Sequence, residues 1–320
     1  MKIKVSILIP IYKAEQYIER CLQSVFEQTY DDIEYIMVND ASPDHSIDIV
    51  NQIIRKYPEK SQSVKVITNE KNLGIAQTRN ILINNATGDY IYFVDSDDFV
   101  KKNTIELFVT AALKEKADIV RCNYFNYVNE TCNPVIRQSC NDVEDMVANC
   151  LSTESSMKAL WLLFIRRSLF IDNDLKFPNN INGCEDYLMT IKLFYYASKI
   201  VDIPEPLYYY RLDNQASATQ QKKVFHTNAC NAINEVILFL KEKHIYENNK
   251  EYCLRLMFTT KQHFLINKSI RDIDKYINTF PESNSCYKYY HYNKKQKIIF
   301  FLAEHKLKML IKIISKLCSL

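Results

Sequence analysis

A run of acidic residues directly follows an apolar segment in the first third of the chain. Residues 91–99 read IYFVDSDDF, so the apolar segment ends in the sequence DSDD at positions 95–98. Like charges this close repel one another. A divalent cation between them removes that repulsion, since Mg²⁺ and Mn²⁺ prefer carboxylate oxygens as ligands. The alternative is a solvated turn in which an aspartate caps the next helix. We favour a cation site because Asp40 ends a second apolar segment.

Alternating strands and helices are predicted for the part of the chain that carries these carboxylates. Continuous runs of apolar and β-branched residues indicate buried strands, and apolar residues at helical spacing indicate amphipathic helices. The predicted strands are 5–11, 33–38, 64–67 and 90–94, and the predicted helices are 15–28, 47–56 and 76–85. This alternation favours an α/β fold with a parallel sheet. Ligands bind at the carboxyl ends of such strands, which is where Asp40 and the acidic segment lie.

The low glycine content excludes two common nucleotide-binding motifs. Only three glycines, Gly74, Gly88 and Gly183, occur in 320 residues, so neither a G-x-G-x-x-G loop nor a phosphate-binding P-loop can be present. We expect the three to lie where the backbone needs a conformation or a close approach that a side chain would prevent. The remaining composition, 47% hydrophobic and 25% charged, is that of a globular protein with a sizeable core.

The cysteine spacing and the N-terminal segment both favour an intracellular protein. The ten cysteines include no C-x-x-C pair, so neither a zinc ribbon nor a redox motif is indicated, and we expect reduced thiols in the cytosol. Lys2 and Lys4 precede the apolar run VSILIPI, but that run is only seven residues long, which favours a buried strand over a targeting signal. No apolar stretch approaches the ~20 residues of a membrane-spanning helix.

The order and spacing of several motifs resemble the family 2 glycosyltransferases, which have the GT-A fold. The segments that carry the resemblance are VSILIPIYKAEQYIERCLQSVFEQTYDDIEYIMVNDASPD, NLGIAQTRN, GDYIYFVDSDDF and, more loosely, GCEDY and YYRLDNQAS. The resemblance implies a Rossmann-like, mostly parallel central sheet flanked by helices. We therefore expect a GT-A catalytic domain over residues 1–220, with a nucleotide-binding half at about 1–100 and an acceptor half at about 101–220. A helical C-terminal region is expected over residues 221–320.

The same resemblance implies which residues bind a nucleotide sugar. Tyr12 matches the position that stacks on the base, and Asp40 matches the carboxylate that reads the imide N–H, usually of uracil. Asp95 and Asp97 match the D-x-D motif that holds the ribose and the metal, Mn²⁺ or Mg²⁺, on the donor diphosphate. Without the resemblance, Tyr12 would be interpreted as an ordinary core tyrosine. The full set expected to bind the donor is Pro10, Tyr12, Asp40, Asn72, Arg79, Asp95, Ser96 and Arg211.

Two acidic residues of the segment GCEDY match the catalytic position of the family. Asp186 corresponds to the base that takes the acceptor proton, with Glu185 beside it. The alternative is that the pair caps a helix predicted at Tyr187–Ala197, because acidic residues are common in a first helical turn. Arg211 and Ser217 match a late element that closes near the diphosphate, although a surface ion pair is an equal interpretation of Arg211.

Trp161, the single tryptophan, is the expected acceptor-site residue. It resembles the aromatic residue of a W-N-K element that lines the acceptor site in the family. Leu162 and Leu163 replace the polar pair of that element, so packing of Trp161 in the core is an equal alternative.

These residues together predict an inverting, metal-assisted glycosyltransferase with an aspartate as general base. It would move a sugar from a nucleoside-diphosphate sugar, with a UDP-sugar as the expected donor, to a hydroxyl of a saccharide or lipid-linked acceptor in surface polysaccharide synthesis. A catalytically silent sugar-nucleotide-binding or scaffold protein on the same fold is the alternative. The intact carboxylates Asp40, Asp95, Asp97 and Asp186 argue against it. A nucleotidyltransferase is disfavoured because it normally needs a glycine-rich loop.

The C-terminal part of the chain has an excess of positive charge. Residues 221–320 contain 18 Lys and Arg against 8 Asp and Glu, whereas residues 1–220 contain 23 against 30. A basic amphipathic helix of the kind that binds an anionic membrane is predicted at the end. We therefore expect a cytoplasmic protein, peripheral at the inner face of the cell membrane; packing of the helix on the protein's own core is the alternative. No nucleic-acid-binding motif accompanies the charge, so no nucleic acid partner is expected. The apolar face of the predicted helix comprises Leu307, Leu310, Ile311, Ile314 and Leu317, and Lys308, Lys312 and Lys316 lie on another face.

Overall fold

The computed structural model of the protein divides into two compact units. It describes residues 3–136, 143–151, 159–179, 181, 183–214 and 222–317. The first unit consists of Met1–Val147 and Ser156–Ser217, and the second consists of Ala148–Ser155 and Ala218–Leu320. The predicted α/β architecture with a helical C-terminal region is confirmed.

A parallel sheet forms the first half of the first unit. Its strands lie in the order β3-β2-β1-β4, and all three pairings are parallel. Every residue of β1 and β4 is buried, because helices and loops cover both faces of a parallel sheet. The chain runs outward from β1 to β3 and then returns to β4, so the strand order reverses between β1 and β4. The strands are β1 (Val5–Ile11), β2 (Ile33–Asn39), β3 (Val64–Thr68) and β4 (Tyr90–Phe93); the helices between them are α1 (Ile18–Phe26), α2 (Ser46–Lys56) and α3 (Ile75–Asn85).

The second half of the sheet is mixed and brings the end of its last strand to the acidic segment. Strand β8 pairs antiparallel with β4 and β6, and β9 runs parallel to β6. Strand β9 also pairs antiparallel with the short β5, with Val100 opposite Tyr208, so residues 208–211 lie beside the segment after β4. The strands are β5 (Phe99–Val100), β6 (Ile119–Val128), β7 (Thr131–Val135), β8 (Leu163–Arg166) and β9 (Ile200–Arg211); the helices are α4 (Thr104–Glu115), α5 (Val143–Leu151), α6 (Ser168–Asp172) and α7 (Glu185–Tyr196).

A buried ion pair joins the two long strands of this mixed half. Arg121 on β6 contacts Asp202 on β9 in two hydrogen bonds, Nε to Oδ1 and Nη2 to Oδ2, each of 2.7 Å. The Arg121 side chain is only 3% exposed. Removing one partner of a buried pair of this kind leaves an uncompensated charge and costs ~3–5 kcal/mol.

A second polar cluster holds together the amino-terminal ends of β1, β2 and β4. Glu34 accepts hydrogen bonds from the Ser6 hydroxyl (2.6 Å) and from the Thr87 N–H and hydroxyl (2.6 Å each), and it pairs with Lys4 at 2.8 Å. Burial alone raises the pKa of Glu34, but Lys4 and these donors outweigh it and lower the pKa to about 2. Gly88 lies against this cluster, where an added Cβ would come within 2.7 Å of the Ser6 backbone nitrogen.

The second unit is helical and has its own aromatic core. Phe258, Phe264, Tyr276 and Phe300 are completely or almost completely buried there. Lys261 is also buried, and its ammonium donates to the carbonyl oxygens of residues 279 and 280 and to a side-chain amide at residue 284, so all three of its N–H groups have acceptors. The helices are α8 (Lys222–Glu242), α9 (Lys250–Lys261), α10 (His263–Ile266), α11 (Ile273–Asn278), α12 (Lys294–Glu304) and α13 (Lys308–Leu317).

Only part of the apolar face predicted for the terminal helix lies within the described residues. A left-handed residue, Lys306 (φ 57°), separates α12 from α13, so Leu307 precedes the helix. Ile311 is fully buried, whereas Leu310 and Ile313 are 46% and 50% exposed. The side chains at positions 314, 316 and 317 lie outside the described residues. Helix α13 therefore packs through Ile311 and leaves Leu310, and Ile313 outside the predicted face, about half exposed.

Candidate active site

The acidic segment after β4 forms a tight turn between the two halves of the sheet. The N–H of Asp98 donates to the carbonyl oxygen of Asp95 at 3.0 Å. The side chain of Asp95 is 27% exposed, Asp97 is partly buried and Asp98 is 1% exposed. Ser96 is also buried. The turn therefore leaves Asp95 and Asp97 accessible and points Asp98 into the protein.

The end of β9 supplies the hydrogen-bond partners of this turn. Asn214 donates from Nδ2 to Asp97 Oδ2 at 2.8 Å, and Arg211 donates from Nε to the Asp97 carbonyl at 2.9 Å. Asp98 accepts from the Tyr208 hydroxyl and from the Arg211 N–H, both at 2.7 Å. Burial raises the pKa of both carboxyls, and the neighbouring aspartates raise each pKa further.

Two accessible carboxylates are a fitting but incomplete ligand set for Mg²⁺ or Mn²⁺. Each ion takes oxygen ligands, and Mg²⁺ in particular is usually held by one or two carboxylates together with substrate phosphates and water. Asn214 occupies only one oxygen of Asp97, and burial beside Asp95 raises the Asp97 pKa, so a cation would relieve that repulsion. Among the described residues no group of three or more His, Cys, Asp or Glu is arranged to hold a metal alone.

Asp40 directly follows β2, and its carboxylate accepts hydrogen bonds from two backbone N–H groups and one side-chain amide. Its Oδ1 accepts from the N–H of Leu73 (2.7 Å) and from Asn69 Nδ2 (2.9 Å), and its Oδ2 accepts from the N–H of Gly74 (2.8 Å). Gly74 has φ 85°, a left-handed conformation that glycine adopts without strain. Since a carboxylate has about four acceptor sites, Asp40 is held in one orientation and keeps capacity for one further donor. Asn72 lies beside it and donates to its carbonyl oxygen at 3.4 Å.

The loop after β1 carries an exposed aromatic ring. Tyr12 is 44% exposed, and Pro10, two residues earlier, is a buried residue of β1 that pairs with Val38. The loop is fixed to the loop after β2, because the N–H of Lys13 donates to the Ser42 hydroxyl at 2.7 Å. Tyr12 and Asp40 therefore follow neighbouring strands whose loops are tied together.

Arg79 on α3 connects the acidic segment to the start of α7. Its Nη1 donates to Glu185 in an ion pair, and its Nη2 contacts Asp95 Oδ1 at 3.3 Å. Burial lowers the pKa of Arg79, but the charges of Glu185 and Asp95 outweigh this and raise it. The second oxygen of Glu185 accepts from the N–H of Gly183 at 2.7 Å. Glu185 is 4% exposed, so both of its oxygens are engaged inside the protein.

Asp186 is more accessible than its neighbour, and its pKa is raised. Its carboxyl is partly exposed, and Oδ1 accepts from the N–H of Tyr187 at 2.8 Å. Partial burial and the negative charge of Glu185 raise the pKa of Asp186 to about 7, although the positive charge of Arg79 opposes the shift. Asp186 can therefore take up a proton near neutral pH.

Helix α3 also holds the segment that leads to α7. Asn80 forms two reciprocal hydrogen bonds with Phe177, from Nδ2 to the carbonyl oxygen (2.9 Å) and from the N–H of Phe177 to Oδ1 (2.8 Å). Gln77 donates to Asn179. Together with Arg79, these contacts fix the position of Asp186 relative to the nucleotide-binding half.

Trp161 lies in an aromatic cluster with strand β9. Its ring stacks on Tyr208 at 4.4 Å and on Tyr210 at 5.2 Å, and it meets the edge of Tyr124 at 5.1 Å. The residue is 8% exposed. Trp161 therefore packs behind the residues that contact the acidic segment.

Most of the predicted residues lie in two groups. In the first, Arg211 contacts Asp97 in the turn after β4, and Arg79 contacts both Asp95 and Glu185. The second, which consists of Pro10, Tyr12, Asp40 and Asn72, lies in or beside the loops after β1 and β2 and before α3. Ser217 lies outside the described residues.

Sequence reasoning missed the supports of the acidic segment, namely Asp98, Tyr208 and Asn214. One signal was present. A D-x-D motif uses two of the three aspartates in DSDD, so the third needs an internal partner if it is buried. The alternation of β9 also turns Tyr208 and Tyr210 to one face and Tyr209 to the other. The long separation in sequence concealed which tyrosine reaches which aspartate.

Comparison with known proteins agrees with this geometry. The family described as glycosyl transferase family 2 matches residues 6–172. The putative glycosyltransferase EpsH of Bacillus subtilis (strain 168) is 32% identical over 230 residues, which cover 70% of this chain and 65% of the relative. The uncharacterized glycosyltransferase EpsJ of the same organism is 31% identical over 229 residues, which cover 68% and 63%. The chain thus spans slightly less than two thirds of the length of these two relatives.

Solved structures share the fold across almost the whole chain. Staphylococcus aureus TarS 1–349 in complex with UDP-GlcNAc superposes with a TM-score of 0.71 at 22% identity, covering 98% of this chain and 90% of that one. The mannosyltransferase PcManGT of Pyrobaculum calidifontis, in complex with GDP-Man and Mn²⁺, has a TM-score of 0.57 at 14% identity, with coverage of 100% and 88%. At such identities the likeness concerns the fold alone, and it confirms the expected GT-A fold.

Proposed function

Because this chain belongs to glycosyl transferase family 2, we propose that it transfers a sugar from a nucleoside-diphosphate sugar to a hydroxyl group of a saccharide or lipid-linked acceptor. The product would be part of a bacterial surface polysaccharide. The observation that carries the proposal is the position of Arg79, whose guanidinium pairs with Asp95 of the D-x-D motif and with Glu185, the neighbour of Asp186. One buried side chain thus joins the residues proposed for the donor to the residue proposed for the acceptor proton.

Asp186 is the proposed general base. As the acceptor oxygen bonds to the anomeric carbon, the bond to the diphosphate breaks and Asp186 takes the hydroxyl proton. Attack opposite the leaving group inverts the anomeric carbon. A base works best with a pKa near the operating pH, which the pKa of about 7 satisfies. Glu185 is disfavoured as the base because Arg79 and Gly183 engage both of its oxygens; its proposed part is to orient Arg79 and to raise the pKa of Asp186.

Asp95 and Asp97 are the proposed ligands of a divalent cation, Mn²⁺ or Mg²⁺. The bound ion would neutralise charge that develops on the departing diphosphate. Asn214 donates to Asp97 Oδ2 and the Arg211 side chain donates to the Asp97 carbonyl oxygen, so Asp97 Oδ1 is the oxygen proposed for the ion. Arg211 is 11% exposed. Its guanidinium lies against this segment, and we assign it to the diphosphate.

The proposed donor is a UDP-sugar, a hexose or an N-acetylhexosamine. Asp40 has acceptor capacity for one more donor, which matches the imide N–H of uracil, and the exposed ring of Tyr12 offers a stacking surface for the base. Asn72, which donates to the Asp40 carbonyl oxygen, and Ser96 of the acidic segment are the other residues assigned to the donor. UDP-GlcNAc in the TarS complex is a precedent in a protein of the same fold. An acceptor contact by Trp161 stays a prediction, and its exposure of 8% leaves little of the ring for it.

The C-terminal unit is proposed to bring the enzyme to an anionic membrane at the cytoplasmic face. Helices α12 and α13 expose Ile298, Phe301, Leu310 and Ile313, each 46–50% accessible. Exposed lysines accompany them, at positions 297, 306 and 312. Within the described ranges, no helix is long and apolar enough to cross a membrane. A surface contact through these side chains would place the enzyme where lipid-linked acceptors lie.

A donor panel with one matched variant tests the proposal. The parent protein is incubated with Mn²⁺ and with UDP-, GDP- or dTDP-sugars, and thermal shift and release of the nucleoside diphosphate are recorded. We expect one UDP-sugar to stabilise the protein and to be turned over. Asp186→Asn should bind that donor equally well and lose ~10²–10⁴ in rate. If the parent binds a donor without turnover, the catalytically silent sugar-nucleotide-binding protein is favoured instead. If Asp186→Asn turns over the donor as fast as the parent, Asp186 is not the general base.

A further inference from the structure

The third aspartate of the acidic segment has no part in the proposed chemistry. Asp98 is 1% exposed, and protein donors engage both of its oxygens. Its two oxygens accept from the Tyr208 hydroxyl and from the Arg211 N–H, both at 2.7 Å. Burying a carboxylate costs free energy unless hydrogen bonds replace its water. These two bonds supply that replacement, and they also connect the acidic segment to β9.

The hydroxyl of Tyr208 makes contacts on both sides of the turn. It donates to Asp98 Oδ2, and it accepts from the N–H of Asp95 at 3.2 Å. The residues at the two ends of the segment 95–98 therefore share one hydroxyl group. Because Trp161 stacks on the Tyr208 ring at 4.4 Å, the phenol itself is fixed and the hydroxyl is a rigid reference point for the turn.

We propose that Tyr208 and Asp98 are positioning residues for the D-x-D motif: the shared hydroxyl holds the backbone of Asp95 and the turn in the geometry in which Asp95 and Asp97 can bind a cation together. This rests on the proposed function, in which those two carboxylates hold the metal. Asn214 completes the arrangement by holding one oxygen of Asp97 at 2.8 Å. The ligand carboxylates are thus oriented by residues more than a hundred positions away along the chain.

Removal of a residue that orients metal ligands typically lowers metal affinity ~10–100-fold. Tyr208→Phe deletes only the hydroxyl and keeps the ring that Trp161 contacts. It leaves Asp98 Oδ2 without its donor and the Asp95 N–H without its acceptor. Tyr210→Phe is the matched control, since Tyr210 lies on the same face of β9 and stacks on the same tryptophan, while its hydroxyl makes no hydrogen bond to the acidic segment.

The experiment measures Mn²⁺ and UDP binding by calorimetry for the full chain. Mn²⁺ is titrated into protein saturated with UDP, and UDP is titrated in the presence of chelator. We expect Tyr208→Phe to lower the affinity for Mn²⁺ about tenfold or more. Its affinity for UDP without metal should change less than about twofold. Tyr210→Phe should match the parent in both titrations. A general loss of structure would weaken the binding of both Mn²⁺ and UDP. A loss of Mn²⁺ affinity without a loss of UDP affinity is therefore specific to positioning.

Three outcomes would overturn the inference. The inference is wrong if Tyr208→Phe binds Mn²⁺ as tightly as the parent does. It is also wrong if Tyr210→Phe loses as much Mn²⁺ affinity as Tyr208→Phe. If the parent binds neither UDP nor GDP with Mn²⁺, the proposed function itself fails and the inference with it. If Tyr208→Phe does not fold, Asp98→Asn is measured against the same criteria, because the amide keeps the shape of Asp98 and removes one acceptor oxygen.

Discussion

The guanidinium of Arg79 and the carboxylate of Glu185 form an ion pair in which each side chain is only 5% exposed. The pair joins helix α3, in the nucleotide-binding half, to the first turn of α7. Because the same guanidinium also contacts Asp95 at 3.3 Å, the charge of Arg79 is shared between the acidic segment and the neighbour of the proposed base. The pKa of Asp186 therefore depends on the charges of both members of this pair.

The first prediction concerns the pH dependence that this pair sets. The base must be ionised, so transfer by the parent should fall as the pH drops through about 7. Glu185→Gln removes the negative charge that raises the Asp186 pKa and leaves Arg79 to lower it. We therefore expect the midpoint of the kcat/KM profile to move about one pH unit or more toward acid. Glu106→Gln, an exposed glutamate on α4, is the control. An unmoved midpoint in Glu185→Gln contradicts the electrostatic link.

The second prediction concerns the metal. Asp97→Ala should abolish the part of nucleotide binding that depends on Mn²⁺, and a chelator should do the same to the parent, because two carboxylates are a minimal protein ligand set. Asp174→Ala, whose side chain is 82% exposed, should behave as the parent. Binding is measured by calorimetry with UDP and the preferred UDP-sugar. Undiminished transfer in excess chelator would show that the acidic segment is only a structural turn.

The third prediction concerns stability at acid pH. The folded pKa of Glu34 is about 2, below its ordinary value. Its contribution is therefore complete above about pH 4.5 and is lost as the pH falls from there toward 2. Glu34→Gln should cost up to about 3 kcal/mol at pH 7. The difference from the parent should shrink by pH 3. Urea unfolding at the two pH values measures it, and a pH-independent difference would mean that packing and not charge is responsible.

The fourth prediction concerns the membrane. The double variant Leu310→Ser with Ile313→Ser changes only side chains that are about half exposed, so the fold should persist. We expect it to sediment less with vesicles of phosphatidylglycerol and phosphatidylcholine than the parent does. Raised salt should weaken the parent's binding, since each nearby lysine contributes ~1 kcal/mol. Leu113→Ser, a comparably exposed leucine on α4, should bind as the parent. Parental protein that stays in the supernatant at low salt would end the membrane proposal.

The sequence by itself determined the local elements and the ends of the strands. Strands β1 to β4 were predicted to within one residue. For β1, β2 and β4 the signal was a run of mainly apolar residues, because burial on both faces requires such side chains at nearly every position. The left-handed conformation of Gly74 (φ 85°) and the close approach at Gly88 agree with the expectation from a chain with so few glycines. Asp40 and Asp95 were predicted at strand ends because a parallel sheet brings those ends to one edge.

The tertiary structure alone decided which polar groups meet. Asp98 and Tyr208 are separated by 110 residues in sequence, and Arg79 and Glu185 by 106. Nothing in local spacing encodes such a contact, since it depends on how β9 pairs with β5 and how α3 lies against the segment before α7. The same holds for α13, where periodicity predicted one apolar face but only the packing shows that Ile311 is buried and Leu310 is about half exposed. Residue type sets what a side chain can do, and the three-dimensional neighbours set whether it binds a ligand or supports a residue that does.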